Sequence, residues 1–430
     1  MTVARLVQIA LGSPPEFHIV EGNPRILLSI NESKLFAIPD GWSNEEALSA
    51  AFSGYKPEAV LPKTVGAISL NLAQTCNLSC AYCYADEGRF GGKAQLMSEE
   101  VALRSIDRLI ADNRGGRASI GFIGGEPLLN RDLLHLATQY AAVRARQHAV
   151  TISFGITTNA TLLRETDLEL FRRYCFAVTV SLDGSQEIND ECRRAAKGSA
   201  FQSAILNMRP LLDSPGGAKV GARCTVTALD LRVAHRVEEI ARCGFSEVGV
   251  SPLRTSPDPH LALKDSQWAE FLNQMCEAAN IDWARALQGQ PLRFSNFAVA
   301  LKQLDAGVAR SLPCGAAANY VSVDAEGDYF TCHRTVGQPR FRLGGHDEGP
   351  EFASRQRFVE SRQVDRQEPC RSCWARYLCG GGCHAEVITA GRSGCAAILG
   401  WLEFCIGIYP EVLRLRPDLL GRENERPTYE

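Results

Sequence analysis

The sequence predicts an α/β protein. It reads as a parallel sheet or barrel of repeated strand–helix units, with a small β-rich module before it and a cysteine-rich region after it. Three observations lead there. Between Val65 and Leu287, six short apolar runs alternate with six longer segments of helical periodicity, the pattern of βα units. Residues 1–62 carry instead short strand candidates split by turn-forming clusters. The 16 cysteines are uneven, with three at Cys76, Cys80 and Cys83 and eight from Cys314 to Cys405.

The N-terminal strand candidates are Phe17 to Val20, Arg25 to Ile30 and Lys34 to Ile38. Gly22-Asn23-Pro24 and Asn31-Glu32-Ser33 separate them, and a helical piece, Asn44 to Ser53, follows. Such a module serves either as a cap over the barrel or as a strand edge that captures a peptide by β-addition. In the region 63–290 the expected strands are 65–72, 118–123, 150–157, 176–182, 219–227 and 247–251. The helices expected between and after them are 98–113, 131–147, 164–174, 199–212, 231–243 and 266–287. Ser98 is a candidate N-cap, with Glu99 and Glu100 suited to a helix start. From Arg131, Leu133, Leu134, Ala137, Tyr140 and Ala141 give one largely apolar face. The strands read as mostly apolar rather than alternating, as parallel strands covered by helices do. Residues 291–410 form the cysteine-rich region, and 411–430 read as a charged tail.

Length and composition bound the function. The 430 residues suffice for two or three domains, and a net charge of −3 gives no reason to expect nucleic acid or a membrane surface. Leu6 to Leu11 is too short for an export signal, and the apolar stretch from Ala396 to Tyr409 is broken by Glu403. A cytoplasmic location is therefore expected. The cysteines then point to metal or cluster ligation rather than disulfides. Cys175, Cys192, Cys224, Cys243 and Cys276 stand singly and read as small buried hydrophobes, Cys192 least clearly because its loop is polar.

Cys76-Asn77-Leu78-Ser79-Cys80-Ala81-Tyr82-Cys83 follows the first strand candidate. Iron–sulfur clusters normally take four thiolates; three without a local fourth leave one iron open to a small ligand. Spacing alone also allows zinc. With Tyr82 before the third cysteine, the loop resembles the signature of radical S-adenosylmethionine (SAM) enzymes. That resemblance implies a partial (β/α)6 barrel and a [4Fe–4S] cluster that binds SAM through its open iron. It implies reductive cleavage of SAM to a 5′-deoxyadenosyl radical that removes a substrate hydrogen. Gly124-Gly125-Glu126-Pro127 after the second strand resembles the family's GGE motif, which holds the SAM amino group. Asn159 and Ser181, at the next two strand ends, are then candidates for the SAM ribose or carboxylate. Asp183 is a cofactor contact or a turn residue. Arg193 is a candidate for the SAM carboxylate or a surface ion pair; Asn189, four residues earlier, stands where relatives often have His.

From Cys314 the series runs C-x12-G-x4-C to Cys332, then Cys370, Cys373, Cys379 and Cys383, then Cys395 and Cys405. A zinc ribbon needs four cysteines, fewer than this. The whole order resembles the SPASM extension of radical SAM enzymes, which holds two auxiliary [4Fe–4S] clusters. By that resemblance Cys314, Cys332 and Cys383 hold one, with a fourth ligand either absent or an unassigned cysteine such as Cys395. Cys370, Cys373, Cys379 and Cys405 hold the other. His333 follows Cys332 where sulfatase-maturating relatives have an Asp that acts as base. Cys-His-x-x-Val-Gly instead resembles peptide maturases that form thioether or carbon–carbon cross-links. His333 is a candidate base or a residue packed beside a cluster. The expected function is a radical SAM peptide maturase acting on a ribosomally made peptide or small protein, served by a low-potential flavodoxin- or ferredoxin-type electron donor. The alternatives are formylglycine formation from a Cys or Ser of a sulfatase, or an electron-transfer protein.

Overall fold

The structure, a computed structural model, describes residues 16–51 and 61–422. Leu6 to Leu11, the end of the expected 44–53 helix and Glu423, Glu425 and Arg426 of the expected tail lie outside the described residues.

Three antiparallel strands open the chain in the order β1 (Phe17–Val20), β2 (Ile26–Ser29), β3 (Lys34–Ala37), followed by α1 (Asn44–Ala50). Ser43 starts α1 with a capping box, its hydroxyl accepting from Glu46 N–H while Glu46 reaches back to the Ser43 N–H. The small sheet has apolar residues on both faces. Ile19, Leu27, Ile38 and Ala47 form a cluster of their own, whereas Val20, Ile26, Leu28 and Ile30 belong to the main core. The module is thus built into the body of the protein. It is tied to the cysteine-rich region as well: Arg376 Nη2 donates to Asn31 Oδ1 at 2.7 Å, and His18 stacks on Trp374 with ring centroids 4.0 Å apart.

The central sheet starts at β4 (Ala67–Gln74), followed by β5 (Leu78–Cys80), β6 (Gln95–Leu96), α2 (Glu99–Asp112), β7 (Arg117–Gly124), α3 (Arg131–Gln147) and β8 (Thr151–Thr158). It continues through α4 (Glu165–Arg173), β9 (Ala177–Ser181), α5 (Gln186–Cys192), β10 (Arg193–Ala195), α6 (Ala200–Asp213), β11 (Lys219–Val226), α7 (Val233–Arg242), β12 (Glu247–Pro252) and α8 (Trp268–Ala286). β4, β7, β8, β9, β11 and β12 lie side by side, all parallel. These are the six strands expected, each within two residues of its expected start. The expectation of mostly apolar strands without strict alternation is corrected. Val178 and Val180 of β9, Ala222, Cys224 and Val226 of β11, and Val248 and Val250 of β12 belong to the apolar core. The intervening Thr179, Ser181, Arg223, Thr225 and Ser251 line a cavity. Helices cover the apolar face; the other faces the cavity and carries small and polar side chains.

After α9 (Ser295–Ala306), the chain re-enters the same sheet. β13 (Tyr320–Val323) pairs parallel with β4, and β14 (Tyr329–Phe330) and β15 (Arg342–Gly344) continue antiparallel. The sheet therefore crosses the boundary expected at residue 290. The last elements are α10 (Phe352–Arg362), α11 (Arg376–Cys379), α12 (His384–Ala390) and α13 (Cys395–Leu415). The boundary expected at residue 411 falls inside α13, which runs through Pro410 and buries Val412 completely. The stretch up to Leu420 is packed rather than a loose tail. By length and composition α13 is apolar enough to cross a membrane; here it packs on α8 and α9.

Candidate active site

The cysteine loop leaves β4 at the C-terminal end of the parallel strands, where such barrels gather their functional loops. Two features fix it. β5 pairs antiparallel with β10, setting Cys80 opposite Arg193. The loop also presses on the turn after β7. A Cβ at Gly125 would stand 2.2 Å from the Thr75 carbonyl oxygen, and one at Gly88 2.5 Å from the Gly125 Cα. Only glycines allow that approach.

Cys76, Cys80, Cys83, Tyr82, Gly124, Gly125, Asn159, Ser181, Arg193 and His333 line one cavity of about 560 Å³. Ten of the sequence candidates thus share one space, brought together from six loops. Burial pushes the Cys76 thiol up to about 12 and the Cys80 thiol to about 11, so loading iron must displace protons.

Two candidates are corrected. Glu126 is fully buried and does not line the cavity. Its carboxylate is used up inside the protein, accepting from Leu128 N–H (3.1 Å), Thr158 Oγ1 (2.7 Å) and Asn159 N–H (2.8 Å). It locks the β7 turn to the end of β8, and the backbone of Gly124 and Gly125 faces the cavity instead. Asp183 is also fully buried and outside the lining. It accepts from Arg193 Nε at 2.9 Å and Nη2 at 3.2 Å, from the Tyr82 hydroxyl at 2.5 Å and from Thr225 N–H at 2.8 Å. Asn189 Oδ1 accepts from the Asp183 N–H at 3.2 Å, so the residue that replaces the usual His still serves the turn. Arg193 lies over the Tyr82 ring, 5.4 Å from its centroid. Asp183 therefore positions Tyr82 and Arg193.

His333 lines the same cavity, its ring centroid 6.4 Å from that of Tyr84 beside Cys83 and its Nδ1 3.1 Å from the Tyr320 hydroxyl. Enclosure, and then the nearby Arg334 charge, push its pKa down to about 4, so it is neutral near pH 7. The cavity mouth is formed by Tyr84, Thr255, Arg334 and Glu386, which also line a cleft of about 290 Å³ outside it. Arg334 lies 3.0 Å from Glu386, with its guanidinium over the Tyr84 ring.

The later cysteines fall into two groups. Cys383 is close enough to raise the pKa of both Cys314 and Cys332, and Cys314 that of Cys332. Gly380 helps bring them together; at φ 72° it packs on Pro313, whose Cα would be 2.5 Å from a Cβ there. Cys370 and Cys373 are acted on by Cys379 and Cys395, and these four line a second cavity of about 780 Å³ that Cys314 and Cys383 border as well. Cys405 is corrected: it is fully buried in the apolar core, outside that lining, with Cys276 the neighbouring thiol acting on it. Cys395 starts α13, and Cys405 comes ten residues on, about 15 Å along the axis at 1.5 Å per residue. One cluster cannot take both. Among the described residues no three His, Cys, Asp or Glu side chains converge tightly enough for a single metal ion. A cubane cluster holds its ligands on separate corners, so wider spacing suits it.

Glu386 lines both cavities and also contacts Arg254 at 3.5 Å. Arg223, Thr179, Thr225 and Ser251 were missed altogether, although their period of two along β9, β11 and β12 was present in the sequence.

Residues 70–213 match the Radical SAM superfamily. An uncharacterised protein of Methanocaldococcus jannaschii is 35% identical over 209 residues, 48% of this chain and 70% of that one. A serine-type anaerobic sulfatase-maturating enzyme of Klebsiella aerogenes is 24% identical over 391 residues, 87% of this chain and 90% of that one. The solved structure of anSMEcpe with bound AdoMet has a TM-score of 0.68 at 20% identity, covering 84% of this chain and 96% of that one; another structure of the same protein also holds the Kp18Cys peptide. The chain is a radical oxidoreductase and belongs to the radical SAM superfamily, whose cofactors are a [4Fe–4S] cluster and SAM.

Proposed function

We propose that this chain is a maturase that oxidises a residue of a peptide or small protein. The observation that carries the reading is the cavity itself. Three cysteines, the Gly124-Gly125 backbone and neutral His333 line one cavity, with a mouth shared with a surface cleft. In this reading Cys76, Cys80 and Cys83 hold the cluster, with Tyr82, Gly124, Gly125, Asn159, Ser181 and Arg193 around SAM. When bound, that pair supplies abstraction of a hydrogen atom from an unactivated C–H bond. The protein then has three tasks. The Tyr84–Arg334–Glu386 mouth admits an extended segment, the lumen keeps bulk water out, and His333 takes the proton released as the substrate residue is oxidised.

Two auxiliary clusters complete the reading: Cys314, Cys332 and Cys383 would hold one and Cys370, Cys373, Cys379 and Cys395 the other, and they would supply an acceptor for the surplus electron, while a low-potential flavodoxin- or ferredoxin-type donor would reduce the SAM-binding cluster. The first has three cysteines, which leaves a position for a substrate thiolate. Among the described residues the outer edge of β3 pairs with no strand, which suits capture of a leader segment by β-addition.

Two products remain in play. His333 in place of an Asp after Cys332 supports an intrapeptide thioether or carbon–carbon cross-link. The likeness to the Klebsiella aerogenes sulfatase-maturating enzyme over nearly the whole of both chains supports formylglycine formation at least as well. Mass spectrometry after anaerobic incubation with candidate peptides separates them. Loss of two hydrogens with a Cys no longer alkylated indicates a thioether; the same loss with free Cys, a carbon–carbon link. An aldehyde in a sulfatase-derived Cys or Ser peptide indicates formylglycine. Failure to make 5′-deoxyadenosine from SAM at all would falsify the reading.

A further inference from the structure

Three arginines line the main cavity: Arg193, Arg223 and Arg334. Two are matched by a carboxylate. Arg193 points two nitrogens at Asp183, and Arg334 lies 3.0 Å from Glu386. Arg223 has neither ion pair nor hydrogen bond among the described residues, and the Cys224 thiol beside it in sequence is held neutral by burial. Arg223 is exposed to the open cavity, and partial desolvation by its walls pushes its pKa below the usual value.

Its place in the sheet is specific. Arg223 faces inward from β11, in register with Ser181 of β9 on one side and Gly249 of β12 on the other. A Cβ at residue 249 would stand 2.5 Å from Arg223 Nη1, so the guanidinium lies across β12 where only a glycine leaves room. Its inward-facing neighbours, Thr179, Ser181, Thr225 and Ser251, are small and neutral. A guanidinium that faces the open cavity without an internal partner is poised for an anion from outside. The planar fork of a guanidinium matches a carboxylate with two parallel hydrogen bonds.

We propose that Arg223 is the carboxylate receptor of the lumen. The inference rests on the cavity being the SAM and substrate site. Two carboxylates can reach it: that of SAM, which the Ser181 register favours, and an acidic side chain of the substrate segment.

The test uses the cluster-loaded protein under anaerobic conditions. Phenylglyoxal modifies accessible, unpaired arginines, and peptide mapping reads the extent at Arg223. Protection by SAM but not by decarboxylated SAM assigns the SAM carboxylate, and R223Q then weakens SAM binding about tenfold or more, with R223K recovering part. Protection by N-acetylaspartate amide, with SAM affinity unchanged in R223Q, assigns an acidic substrate group. If neither probe protects Arg223 and R223Q binds SAM as the parent does, the proposal is overturned. A parent protein that makes no 5′-deoxyadenosine fails the cavity reading itself, a result separate from anything Arg223 does.

Discussion

The Tyr320 hydroxyl stands between His333 Nδ1, at 3.1 Å, and Ser69 Oγ, at 2.8 Å. The chain of hydroxyls continues: Ser69 donates to Ser322 at 2.8 Å, and Asn71 Nδ2 donates to Ser322 at 2.8 Å. Because Ser69 spends its proton on Ser322, it accepts from Tyr320, and the Tyr320 oxygen accepts from His333 Nδ1–H. The free lone pair of the imidazole is then on Nε2, as a base requires. The pairing of β13 with β4 builds this chain, since Tyr320 and Ser322 come from one strand and Ser69 and Asn71 from the other.

Replacing His333 with Gln is therefore expected to uncouple the enzyme. 5′-Deoxyadenosine should still form, while modified peptide falls by about a hundredfold or more, the usual scale for a general base. Y320F should lower product yield less, by loosening the tautomer. Both are read by quantifying the two products in one reaction. Equal loss of both products in H333Q would place His333 in SAM binding instead.

Glu126 gives a stability prediction with a definite sign. Burial pushes its carboxyl from 4.5 up to about 7, against the lowering effect of its three hydrogen bonds. The native state therefore holds this proton to higher pH than the unfolded chain. Below 4.5 both states are protonated; between about 4.5 and about 7 stability falls as pH rises, and it is level above. In E126Q that slope should be absent. The amide also sets an NH2 against a backbone N–H or the Thr158 hydroxyl, costing about 1–3 kcal/mol. Urea unfolding of both proteins across this pH range checks it.

Much of this was legible in the sequence. The six βα units, the CX3CX2C loop and the Gly124-Gly125 turn depend on local periodicity and spacing. The parts that were not legible are contacts between distant segments. Nothing near Arg193 says that it pairs with Cys80 across two short strands, and nothing in Glu126 says that its carboxylate turns inward. The Cys395 and Cys405 choice turned on which residue heads a helix, and spacing alone does not show that. The polar lumen was missed because the strands were read as mostly apolar rather than strictly alternating.

Asp183 and Arg193 form a buried ion pair that also carries Tyr82. Removing one partner leaves a buried charge without its match, which costs on the order of 3–5 kcal/mol. D183A should therefore lower stability steeply and release Arg193 and Tyr82, weakening SAM binding as well. Y82F removes one hydrogen bond and should cost only about 1 kcal/mol. Denaturant midpoints together with SAM affinity test the pair; a SAM affinity unchanged in a folded D183A protein counts against the positioning role.

The cysteine groups can be told apart by iron content. Cys395 opens toward the cavity lined by Cys370, Cys373 and Cys379, so C395A should lose iron from that site, roughly four atoms per chain if the cluster falls out entirely. Cys405 is packed among apolar side chains, so C405A should keep its iron and lose only about 1 kcal/mol of stability, as a small core truncation does. The visible absorbance and the iron-to-protein ratio of the two reconstituted variants give the answer directly. Iron lost from C405A and retained in C395A would mean that α13 shifts along its axis when the cluster assembles, because a helix of this pitch cannot otherwise bring residue 405 to the cavity.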